Sequence, residues 1–66
     1  MELSRWRDEF THTHMKLKDL EDVIAMASIQ PTQYDTEHMP SYIAQRERLL
    51  QLLQLYAKQI RKAVGL

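Results

Sequence analysis

The sequence predicts an all-α protein: an antiparallel two-helix hairpin that can complete a helical bundle by self-association or with a partner. Three observations predict it. Two long segments carry apolar residues at alternating spacings of three and four, and a polar stretch bounded by Pro31 and Pro40 separates them. With one Gly and 44% hydrophobic residues, the chain has too few turn residues for an all-β fold and is too apolar for disorder. One domain covers residues 1–66.

The first helix is expected from about residue 4 to residue 29. Ser4 can act as its N-cap, accepting from a backbone N–H of the first turn, and Asp8 and Glu9 favour the positive helix end. Arg7 stands where a capping box would need Glu or Gln. Leu3, Trp6, Phe10, Thr13, Leu17, Leu20, Ile24 and Ala27 then follow heptad spacing with one polar member, Thr13, whose methyl group can still pack. Val23, Ala25, Met26 and Ile29 widen the apolar surface, so the last two turns call for cover on more than one side. Pro31 cannot continue a helix and biases Gln30 away from helical geometry.

Residues 30–39 are expected to form a loop in which Thr32, Asp35 and Thr36 supply turn and cap chemistry, with Tyr34 and Met39 able to make contacts from it. Pro40 fits the first turn of a second helix over about residues 40–64, capped by Met39 or Ser41, or by Thr36 if the helix starts earlier. Tyr42, Leu49, Leu53, Tyr56, Ile60 and Ala63 form its stripe with a gap at Arg46, and Ile43, Leu50, Ala57 and Val64 repeat every seven residues beside it. Gly65 closes the helix. The register expected across the hairpin is one in which facing residue numbers sum to about 70. Trp6 then meets Ala63, Phe10 meets Ile60, Thr13 meets Tyr56, Leu17 meets Leu53, Leu20 meets Leu49 and Ile24 meets Arg46. In that register Arg46 reaches toward Glu21 and Asp22, and His14 can reach the Tyr56 hydroxyl from the rim.

Composition narrows the function. No cysteine is present, so disulfides and thiolate metal sites are excluded; this fits a reducing compartment, and a cytoplasmic location is expected. Nine Lys/Arg balance nine Asp/Glu, which leaves no net charge to attract polyanions. The longest apolar run, Val23 to Ala27, is far short of the roughly 20 residues of a membrane span, and the N-terminus lacks a signal-peptide hydrophobic region, so a soluble, unprocessed protein is expected. His12 and His14 lie about 200° apart on a helix and cannot share a metal, and His38 with Asp35 and Glu37 reads as solvated surface. No nucleophile–base arrangement and no Gly-rich phosphate loop are present, so no enzymatic activity, cofactor or metal is expected.

What remains is interaction. Leu52 and Leu55 lie off the main stripe, between Arg48 and Gln59, and with Val23 and Met26 they form the candidate partner-binding set. They are either buried in a self-dimer or docked into a groove of another helical protein. Arg5, Arg7, Lys58, Arg61 and Lys62 form a candidate basic end, diluted by Glu2, Asp8 and Glu9. Dipole complementation at the end of the second helix and ordinary solvation account for these cations, and phosphate recognition by a homodimeric bundle is the functional alternative.

Tyr42, Gln45, Arg46, Glu47, Leu50 and Ile60, following a loop and a first amphipathic helix, resemble the second helix of YscE-type co-chaperones of type III secretion. The resemblance covers the whole chain in size and hairpin layout, and this short run in residues. It implies a small helical hairpin that, with a larger helical-repeat chaperone, holds a needle subunit soluble. The expected function is therefore a non-enzymatic adaptor or co-chaperone covering apolar surface of a helical partner. The alternative is a homodimeric four-helix-bundle regulator that binds nucleic acid through its basic end.

Overall fold

Thr32 decides where the second helix begins. Its hydroxyl accepts from the Asp35 backbone N–H at 3.1 Å, while the Asp35 carboxylate accepts from the Thr32 backbone N–H at 3.4 Å and from the Thr32 hydroxyl at 2.9 Å. This reciprocal capping box satisfies two helix-end donors and places the Asp35 charge in the positive first turn. The computed structural model describes residues 2–65, with side chains from Leu3 to Gly65. It consists of helix α1, Glu2–Ile29, and helix α2, Gln33–Ala63, packed antiparallel along their length. The hairpin is a rod of 48 × 14 × 14 Å. Its length matches the roughly 1.5 Å rise per residue of a helix the size of α2.

The expected loop over residues 30–39 is thus corrected to three residues, Gln30 to Thr32. Pro40 lies inside α2 instead of in its first turn, and neither Met39, Ser41 nor Thr36 is the cap. The physical reason is local: Thr32 and Asp35 stabilise a start two turns earlier than Pro40 would. Pro40 has no N–H for the Thr36 carbonyl, but both residues are exposed, so water can take that carbonyl. Tyr34 and Met39 accordingly sit on α2. The other start also moves. Ser4 is not the cap of α1, because the helix runs back to Glu2, with Leu3 half-buried opposite the half-buried Gln59 and Ile60.

The stripe of α1 is as its spacing predicts. Among the described side chains of α1, those not exposed are Leu3, Trp6, Phe10, Thr13, Leu17, Leu20, Ile24 and Ala27. On α2 the half-buried set is Asp35, His38, Met39, Tyr42, Arg46, Leu49, Leu52, Leu53, Tyr56, Ala57, Gln59 and Ile60, so the gap at Arg46 is filled by the arginine itself. Ala63 is exposed and drops out of the stripe.

Shortening the loop slides one helix along the other. The rings of Trp6 and Tyr56 lie 5.8 Å apart, and facing residue numbers sum to about 62 where a longer loop would give 70. Trp6 therefore packs on Tyr56 instead of Ala63, Thr13 is level with Leu49, and Arg46 is level with Lys16, not with the acidic pair Glu21 and Asp22. His14 stacks with Phe10 at 6.3 Å instead of reaching Tyr56. The displacement is close to one heptad, which exchanges every partner while leaving the same residues in the seam. At the far end Gly65, at φ 84°, donates to the Lys62 carbonyl, and Val64 donates to that of Ile60; these contacts close α2 where the sequence places its end.

Candidate functional site

A two-helix rod has little interior. Among the described residues the buried side chains are Leu17, Ala27 and the polar Thr13, and none belongs to α2. Among the described residues nine large apolar side chains are exposed: Met15, Val23, Met26, Ile29, Tyr34, Ile43, Leu50, Leu55 and Val64. Each helix buries one stripe against its neighbour and leaves apolar flanks on both sides of the seam.

One flank contains a groove. Leu20, Leu49 and Leu52 form its apolar floor, Lys16, Gln45 and Arg48 its rim, and its volume is about 310 Å³. The candidate set is only partly assembled here. Leu52 is half-buried as a wall of the groove, so it belongs to the edge of the seam and is not a separate surface. Leu55 is 48% exposed one turn further along α2, and Val23 is 43% exposed one turn beyond Leu20. Met26 is 61% exposed and points further out, near Ile29. The second flank was not singled out from the sequence. Leu50 is two residues from Leu52, about 200° around the helix, so Ile43, Leu50 and Val64 line the opposite side of the seam with Ala57 between them. Their spacing of seven was the available signal.

The basic end divides into separate surfaces. Lys58, Arg61 and Lys62 line a shallow depression with Gln54, whereas Arg7 lies beside Ser4, Asp8 and Thr11 on α1. Arg5 lines neither, and the Glu2 side chain lies outside the described residues. Near the turn, Tyr34 and His38 stack with ring centroids 3.9 Å apart, and His38 Nδ1 lies 2.8 Å from the Tyr34 carbonyl. Tyr42 donates to Asp35 Oδ1 at 3.4 Å. Its phenol is pushed above its ordinary value of 10, first by desolvation, then by the charge of Asp35, by Tyr34 and by the hydrogen bond that anchors its proton. These contacts brace the first turns of α2.

Charge is distributed unevenly along the rod although it sums to zero. Residues 19–45 hold five carboxylates, Asp19, Glu21, Asp22, Asp35 and Glu37, and no Lys or Arg. All nine Lys/Arg lie outside that span, with four carboxylates among them, so the turn end carries −5 and the open end +5. Residues 18 and 46, which bound the span, are nearly level across the hairpin, so the division cuts the rod crosswise. A running sum of charge would have shown it; the net charge hid it.

No protein-family model matches the chain, and no curated protein or solved structure matches it. Among the described residues, no group of three or more His, Cys, Asp or Glu could hold a metal ion, and no helix is long and apolar enough to cross a membrane.

Proposed function

We propose that the protein is a non-enzymatic interaction module, an adaptor or co-chaperone that works by packing its apolar flanks against another helical chain. The observation that supports this reading is the mismatch between core and surface. Among the described residues two buried apolar side chains, Leu17 and Ala27, accompany nine large exposed ones, and such a small core is completed by association. Cytoplasmic action and a role in type III secretion form the most specific version, in which the partners would be a helical-repeat chaperone and a needle subunit. That version rests on the YscE-like pattern of the second helix. Nucleic-acid binding has one observation in its favour, the cluster of Lys58, Arg61 and Lys62, but Arg5 and Arg7 line no part of that depression.

The test follows helicity and molar mass together over a wide concentration range. Helix content and melting temperature should rise as the chain associates, with its own kind or with a co-expressed helical partner. A cooperative, fully helical monomer whose melting temperature ignores concentration would remove the basis for the proposal. A fall in affinity for duplex RNA or DNA with rising salt would favour the nucleic-acid reading.

A further inference from the structure

We infer that the flank bearing the Leu20, Leu49 and Leu52 groove is covered by a second copy of this chain, docked with the two interhelical turns at opposite ends. This rests on the reading of the flanks as docking surfaces and names the occupant of one of them. Two independent observations lead to a second copy.

The first is charge. Two such rods can be stacked by a two-fold axis with their turns together or with their turns apart. Turns together would set the −5 ends side by side and the +5 ends side by side. Turns apart sets each acidic end against the basic end of the other copy, so the chain is complementary to itself in this orientation alone. Like-charge juxtaposition penalises the alternative and so fixes the orientation.

The second is area. The chain exposes 5489 Å², whereas a compact monomer of 7.9 kDa exposes about 4,400 Å². The excess, about 1,100 Å², exceeds the roughly 800 Å² that each partner contributes to a standard interface. One stacked copy accounts for it and gives a four-helix bundle. The flank of Ile43, Leu50 and Val64 then remains on the outside, free for a different helical partner.

Because the chain has no cysteine, a single Gln30→Cys substitution at the exposed turn allows one spin label per copy. Light scattering should report a dimer, and the label-to-label distance should be close to the 48 Å length of the rod. Turns together would give about 10–20 Å, one to two helix diameters, and would overturn the inference. Leu52→Asp should weaken the dimer, whereas Leu50→Asp on the opposite flank should not; the reverse pattern would also overturn it. Arg5→Glu and Lys62→Glu together, on the Val23 and Leu55 side of the rod, change only exposed side chains and should raise the dimer Kd about tenfold or more at low salt. No change in Kd at low salt would refute the electrostatic pairing. A poorly helical monomer at all concentrations would overturn this inference and leave the interaction-module reading standing, whereas a cooperative, stable monomer would overturn both.

Discussion

Replacing Pro40 by Ala should stabilise the protein. Pro40 is the eighth residue of α2 and leaves the Thr36 carbonyl without its helical donor. An interior proline costs about 3 kcal/mol relative to Ala. Here part of that cost is already relieved, because Pro40 and Thr36 are exposed and water can reach the carbonyl. Ala also gives the unfolded chain more freedom, which takes back about 0.4–1 kcal/mol. A net gain of about 1.5 kcal/mol remains, which for a chain of this size raises Tm by roughly 6–12 °C. Thermal unfolding followed by circular dichroism, at one fixed protein concentration, measures it. If residues 30–39 formed a loop and the helix began at Pro40, the proline would sit where helices favour it, and Ala would be neutral or destabilising. A Tm that stays level or falls would therefore refute the placement of the turn at Gln30 to Thr32.

Three further outcomes follow from the packing. Thr32→Ala should cost about 1 kcal/mol of stability by opening the capping box with Asp35, read as a lower denaturation midpoint; an unchanged midpoint would count against that cap. A double-mutant cycle on Trp6 and Tyr56, each to Ala, should return a coupling of about 0.5–1.5 kcal/mol, and zero coupling would restore a register in which Trp6 meets Ala63. In an alkaline titration of tyrosinate absorbance, Tyr42→Phe should remove a component that titrates above pH 10. Because the folded state holds that proton more tightly than the unfolded chain, the associated stability is fully present below pH 10 and is lost as pH rises through the raised value. Loss of a component below pH 10 would contradict the Asp35–Tyr42 contact.

The candidate surfaces were legible in part. Val23, Met26 and Leu55 are exposed as apolar residues off the stripe should be, whereas Leu52 is drawn to the seam because it lies only one turn from Leu49. Ile43, Leu50 and Val64 passed as a broadening of the stripe, since apolar spacing does not reveal how wide a strip a single neighbouring helix can cover. The ±5 polarity of the rod is written in the order of the charges, but it becomes spatial only when the hairpin brings residue 18 level with residue 46.

Helix periodicity by itself determined that this protein is a hairpin, and it determined the α1 stripe from Leu3 to Ala27 residue by residue. Spacing along one helix is enough to say which side chains share a face. Which residues meet across the seam was decided by tertiary structure. A slide of about one heptad leaves both stripes facing inward, so periodicity is blind to it. The choice fell to the Thr32–Asp35 cap and to the contact of Trp6 with Tyr56, which fix the turn and the register together.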